Sequence, residues 1–169
     1  MSGEECFEIL EKIFVPKKKE DIEDIKGYTI KYGHIVENLE KYENCEIPEN
    51  AVLDEVLVSY FKKPKSYTTE NMCEINTHGG NLVVKKILEL CLKNGAEMAE
   101  PGEFTKRAFL NGRIDLLQAE SVIDIIDAKS EKELRAGMNQ LEGRLSRKIH
   151  EIKKKIMDVM VNVEVDIDY

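Results

Sequence analysis

Residues 111–130 read NGRIDLLQAESVIDIIDAKS, and the fold turns on how that stretch is divided. Asn111-Gly112 is a turn pair. Asp115 is then placed as a helix cap, with Gln118 three residues on as the partner of a capping box. Leu116, Leu117, Ala119, Val122, Ile123 and Ile126 form an apolar helical face, and Glu120, Asp124 and Asp127 share another. Before this point the chain mixes short segments with Gly, Pro and Asn punctuation. After it there is no proline, and the only glycines are Gly137 and Gly143. The boundary therefore separates a mixed region, 1–112, from a helical one, 113–169.

Working towards the N-terminus, GEFTKRAFLNG (102–112) follows Pro101 and predicts a short helix ending at the turn. AEMA (96–99) is read as a short strand. NLVVKKILELCLKN (81–94) predicts a helix with Gly95 just past its end. MCEINTHG (72–79), LDEVLVSYF (53–61) and YTIKYGHIV (28–36) are rich in β-branched and aromatic residues and predict strands. SGEECFEILEKIF (2–14) predicts a helix with Ser2 as cap and Cys6, Phe7, Leu10, Ile13 and Phe14 on one face. Towards the C-terminus, Leu134, Met138, Leu141, Leu145, Ile149, Ile152, Ile156, Val159 and Val163 recur at helical spacing. One helix from Lys132 to Ile167 would be roughly 50 Å long. Its apolar face calls either for a two-helix hairpin or for partners outside this chain.

The 169 residues suffice for one medium domain, or a small one with an appendage. At 42% hydrophobic and 34% charged, most of the chain should fold. A formal net charge of −8 sets against a broad electrostatic grip on nucleic acid, though not against a local basic patch. Cys6, Cys45, Cys73 and Cys91 contain no Cys-x-x-Cys pair, and their apolar neighbours predict buried, reduced thiols in a cytoplasmic protein. There is no apolar run long enough for a membrane span, no P-loop, no dinucleotide fingerprint and no nucleophile elbow. His34, His78 and His150 lack metal-ligand spacing. No catalytic residue and no metal ligand is assigned.

Two stretches suggest ligand chemistry. In CEINTHGGN (73–81) a strand, two glycines and a helix bring bare backbone close to the helix N-terminus. Glu74 alternates with Cys73 and Ile75, so its carboxylate can leave the apolar face. There it can accept paired N–H bonds from a guanidinium or an aminopyrimidine ring. An ordinary turn with a solvated glutamate fits the same residues. In NGRID, Arg113 and the following helix N-terminus can hold a carboxylate or phosphate together. A salt bridge to a nearby acid is the other reading. The runs Lys17-Lys18-Lys19, Lys62-Lys63 with Lys65, and Lys153-Lys154-Lys155 could each touch phosphate or be plain solvated faces.

INTHGG (75–80), AEPGEFTKRAFLNGRIDLLQAESVIDIIDAKSE (99–131) and VNVEVDIDY (161–169) closely resemble the MnmE (TrmE) family of tRNA-modification GTPases. The resemblance runs from about Ser2 to Tyr169. It implies an α+β fold: an N-terminal mixed sheet with flanking helices, like the tetrahydrofolate-binding fold of aminomethyltransferases, then an α-helical region with one long helix. It implies that the N-terminal domain forms a homodimer and binds 5-formyltetrahydrofolate. With its partner MnmG, the family modifies C5 of the wobble uridine of tRNA, and a Ras-like G domain uses GTP, Mg2+ and K+. Carried across, the folate contacts fall on Glu74 and Arg113. Many members have lysine where this chain has Arg113, which keeps the charge but not the hydrogen-bond geometry.

The resemblance also predicts what these residues lack. Members usually begin with a Gly-rich strand ending in Arg-Ile-Ser-Gly, whereas here Met1 precedes Ser2-Gly3. A fragment is therefore expected, without the first strand and its arginine and stopping before the G domain, so GTPase activity is not expected of it alone. The competing readings are a dimerising scaffold with no working ligand site, and a free-standing aminomethyltransferase-like enzyme. The last lacks a clear catalytic aspartate beside a folate site.

Overall fold

A computed structural model describes residues 1–18, 27–42 and 46–168, the last three as backbone; Lys19 and Cys45 lie outside these residues. The chain divides into two compact units, Met1–Asn111 and Gly112–Tyr169. The fold is α+β, with a sheet in the first unit and helices alone in the second among the described residues.

The sheet contains β1 (Phe14–Pro16), β2 (Thr29–Val36), β3 (Val52–Phe61) and β4 (Met72–Asn76), in that spatial order. It was expected to be mixed; every pairing among these strands is antiparallel. Period-two alternation sets its faces. On β3, Val56, Val58 and Tyr60 are buried, while Leu57 is 47% exposed. Helices α1 (Cys6–Glu11) and α2 (Asn81–Lys93) contribute Phe7, Leu10, Ile87 and Leu90 to the core against those strand residues. The Phe7 and Tyr60 rings pack with centroids 5.5 Å apart. Burial pushes the Tyr60 hydroxyl pKa upward.

The first helix is shorter than its apolar periodicity implied. Ser2 does not cap it; its hydroxyl meets Thr68 Oγ1 at 2.5 Å and donates to Glu70 at 2.8 Å, and the residue bridges to Met72. At the other end Ile13 leaves the helix so that its carbonyl accepts the Val36 amide at 2.8 Å. Phe14 then opens β1 opposite Ile35. All five residues of the expected apolar face are nevertheless buried. The face was right, but helix, turn and strand backbone share it.

AEMA is not a strand. The Ala96 amide returns to the Cys91 carbonyl at 3.1 Å and the Gly95 amide to Leu92 at 3.2 Å, closing α2 with a Schellman motif. Gly95 carries the positive φ of 110° that this requires. Helix α3 (Glu103–Leu110) ends at Asn111, as read.

In the second unit α4 (Leu116–Asp127) starts on the predicted capping box. Asp115 accepts the Gln118 amide at 2.9 Å, and the Gln118 side chain accepts the Asp115 amide at 3.0 Å. The expected apolar face of α4 is corrected. Leu116, Ile123 and Ile126 are exposed, and the fully buried residue is Ser121. The long helix is corrected too. It is broken into α5 (Glu131–Leu141) and α6 (Arg144–Asp168) at Gly143, whose φ is 73°. The break lets α5 pack on α4. Gly137 sits where a Cβ would lie 2.8 Å from Ile125 Cγ1, and Gln118 and Gln140 donate across to the Leu141 and Leu117 carbonyls. The α6 stripe from Leu145 to Val163 is exposed. No helix among the described residues is long and apolar enough to cross a membrane.

Candidate ligand-binding site

Glu74 stands on β4 opposite Ser59 of β3 and is exposed. Alternation puts its side chain on the sheet face away from the core, the face that also carries the exposed Leu57 and, on β2, Tyr32 and Ile30. Because β4 ends the order of strands, its residues also border an open cavity of about 530 Å³. Glu74, Thr77 and Tyr67 are the polar residues among those that line it. Cys91 and Leu88 of α2 form one wall, and Tyr67 and Phe104 bring aromatic rings. The Tyr67 hydroxyl lies 3.0 Å from Thr105 Oγ1, which ties the loop after β3 to α3.

A second polar network holds that loop. Thr68 is fully buried, and its carbonyl accepts the Asn111 side-chain amide at 2.7 Å. Glu70 accepts from Arg107 at 3.2 Å, and Arg107 also donates to Glu103 at 2.7 and 3.1 Å. Hydrogen bonds from the Glu100 amide and then from Arg107 hold the Glu103 carboxyl below its usual pKa. The same pairing, with Glu103 first and Glu70 next, raises that of Arg107. Neither tyrosine nor phenylalanine of the cavity was singled out from the sequence. They lie far apart in the chain and share no local pattern, so only the tertiary ties of loop and helix bring them together.

The HGG turn is built differently from its sequence expectation. Neither Gly79 nor Gly80 has a positive φ, and a Cβ at Gly79 would meet nothing within 4 Å. The turn is shaped instead by Asp54 of β3, which draws His78 out of line and ends β4 at Asn76. Backbone around Gly79 is thus bare without being sterically required to be. Cys73 and Cys91 border the cavity, and with Cys6 they are buried free thiols. The hydrogen bond between Cys6 and Cys73 raises the first thiol's pKa and lowers the second's.

Arg113 belongs to the second unit. It is exposed, two residues before the Asp115 cap of α4. Glu120, Asp124 and Asp127 are exposed on α4. Among the described residues no group of three His, Cys, Asp or Glu side chains is arranged to hold a metal ion.

The family model described as the N-terminus of the GTP-binding protein TrmE matches residues 1–113, and that of the MnmE helical domain matches residues 116–169. The tRNA modification GTPase MnmE of Acetivibrio thermocellus is 54% identical over 170 residues, covering 100% of this chain and 34% of the relative. The protein of the same name from Alkaliphilus oremlandii is 51% identical over 170 residues, and that from Bacillus subtilis 46% over 169. Each covers 100% of this chain and 35% of the relative. The chain thus spans about a third of the length of these relatives.

Proposed function

Because the chain belongs to the MnmE (TrmE) family of tRNA modification GTPases, we propose that it supplies that protein's 5-formyltetrahydrofolate-binding and homodimerising module. The observation that carries this reading is the cavity at β4. A volume of about 530 Å³ suits a ligand of folate size. Glu74 offers two acceptor oxygens to an aminopyrimidine edge, and Tyr67 and Phe104 offer aromatic faces to a planar ring. The family resemblance, not the cavity, names Arg113 as the group for the folate's carboxylate or another polar edge. In the whole protein the folate supplies a one-carbon unit for C5 of the wobble uridine of tRNA, with MnmG as partner. GTP hydrolysis, with Mg2+ and K+, belongs to a G domain outside these residues.

The dimer reading rests on the outer sheet face, where Ile30, Tyr32 and Leu57 are exposed on adjacent strands. A second copy laid on that face would cover apolar surface beside Glu74. The same observation favours the alternative of a dimerising scaffold without a working ligand site.

Isothermal titration with 5-formyltetrahydrofolate, with sedimentation of the same samples, separates the two. The expected result is binding by the wild type that weakens at least tenfold in Glu74→Ala and in Arg113→Ala. Equal binding by both variants would remove the site assignment. A dimer that ignores folate would establish the scaffold reading instead.

A further inference from the structure

Helix α6 carries its charges the wrong way round for its own stability. Between Arg144 and Lys155 there are six cations, Arg144, Arg147, Lys148, Lys153, Lys154 and Lys155, against one acid, Glu151. The remainder of the helix has no cation and carries the acids Asp158, Glu164, Asp166 and Asp168 among apolar residues. A helix macrodipole favours acids in the first turn and cations in the last. α6 has no acid in its first turn and no base in its last. Pairing along the helix does not compensate. Glu151 with Lys155 and Lys154 with Asp158 stand four residues apart, yet no ion pair joins either. Among the described residues, Arg144 alone of the six reaches a carboxylate, Glu142, at 3.3 Å. Arg147 donates to the Glu142 backbone carbonyl.

Five of the six cations are also placed on one side. At ~100° per residue, Arg144, Lys148 and Lys155 fall within about 40° of one another, with Arg147 and Lys154 on the adjoining arc; Glu151 and Asp158 fall among them, so five cations share this side with two acids, and Lys153 stands opposite. All five are exposed. They form a strip about 16 Å long beside the apolar stripe of Leu145, Ile149, Ile152 and Ile156. In a chain of net charge −8, this is a local inversion of sign that neither helix stability nor internal pairing accounts for.

We propose that the first half of α6 is a docking surface for the phosphate backbone of structured RNA. The proposal rests on the reading that the chain works on tRNA, and it names where that substrate is gripped. Several amines and guanidinia at helical spacing contact phosphates through charge, displace counterions and read no sequence. Such a surface positions an RNA and leaves recognition of the base to other groups.

The test is fluorescence anisotropy of the full chain with a labelled RNA duplex of about 20 base pairs, repeated over a range of salt. The expected result is salt-dependent binding. The triple variant Lys148→Glu, Lys154→Glu, Lys155→Glu should weaken it at least tenfold, and the neutral triple to Gln should lower the salt slope by about 3. A control triple, Lys65→Glu, Lys85→Glu, Lys86→Glu, makes the same change in net charge on the first unit and should leave binding nearly unchanged. Circular dichroism of each variant checks that the helices persist. Equal losses in both triples, no loss in either, or no binding by the wild type would overturn the proposal, as would preference for anionic vesicles over RNA. The folate titration is independent of these outcomes, so the ligand-site reading stands or falls separately.

Discussion

The carboxylate of Asp54 accepts two hydrogen bonds from one residue, His78: the backbone amide at 2.8 Å and ring Nδ1 at 2.7 Å. Its side chain is only 9% exposed. Burial alone would raise the Asp54 pKa, but the His78 amide, the His78 ring and the Glu55 amide outweigh it and hold the group below its ordinary value. A carboxyl whose folded pKa is depressed contributes stability above its unfolded pKa, about 3.8–3.9. That contribution is lost as pH falls through the folded pKa. Asp54→Ala should therefore cost about 1–3 kcal/mol near neutrality, since the His78 amide loses its acceptor. The difference from wild type should shrink in strongly acidic solution. Urea unfolding at several pH values measures this, and a pH-independent difference would refute the linkage.

Gly33 and Gly137 are both forced by close approach, but against different atoms. A Cβ on Gly33 would lie 2.2 Å from the Val15 carbonyl oxygen and 2.8 Å from the Phe14 ring. Backbone cannot yield there without breaking the β1–β2 pairing. A Cβ on Gly137 would meet Ile125 Cγ1, a side-chain atom that can shift, and alanine there regains about 1 kcal/mol of helix propensity. Gly33→Ala should destabilise by about 3 kcal/mol or more, and Gly137→Ala by about 1 kcal/mol. Thermal unfolding of the two variants ranks them, and the reverse order would show the β1 contact to be soft.

Phe104 lines the cavity at the cost of little core packing, being 39% exposed. Phe104→Ala should weaken 5-formyltetrahydrofolate binding about tenfold, in the range of lost aromatic contact. The melting temperature should change by only a few degrees, on the order of 1 kcal/mol. A large loss of stability with unchanged affinity would make Phe104 a packing residue and move the ligand elsewhere.

The sequence carried the elements whose signals are local. β2 and β3 were legible because β-branched and aromatic residues fill Thr29–Val36 and Val52–Phe61. The α4 start was legible because Asp115 and Gln118 state both halves of a capping box. β1 was not, because three residues, Phe14–Pro16, continue the apolar period of α1 and become a strand only by pairing with β2. Glu74 was visible as a polar residue breaking an apolar strand. The rest of its cavity was not, because Tyr67 and Phe104 reach it through the hydroxyl tie to Thr105 and the Glu70–Arg107 pair, both long-range. The cationic strip was half visible: the Lys153–Lys155 run stood out, whereas the alignment of Lys154 and Lys155 with Arg144 and Lys148 follows from a helical spacing that was read only for the apolar residues.

The break at Gly143 is the sharpest departure from periodicity, and it is directly testable. The apolar spacing runs straight through it, yet Gly143 takes φ 73° and its amide closes α5 on the Gln140 carbonyl at 2.9 Å. Any L-residue with a Cβ pays about 1–2 kcal/mol in that conformation, and the new atom would also press on Gln118 Nε2 at 3.4 Å. That nitrogen holds the Leu141 carbonyl at 2.7 Å. Gly143→Ala should thus destabilise the α4–α5 pair by about 1–2 kcal/mol while favouring a continuous helix through residue 143. Hydrogen exchange should report both effects: faster exchange of amides in α4, and new protection of the Arg144 and Leu145 amides. Unchanged exchange in α4 would mean that the break is set by the neighbouring helices and not by glycine at this position.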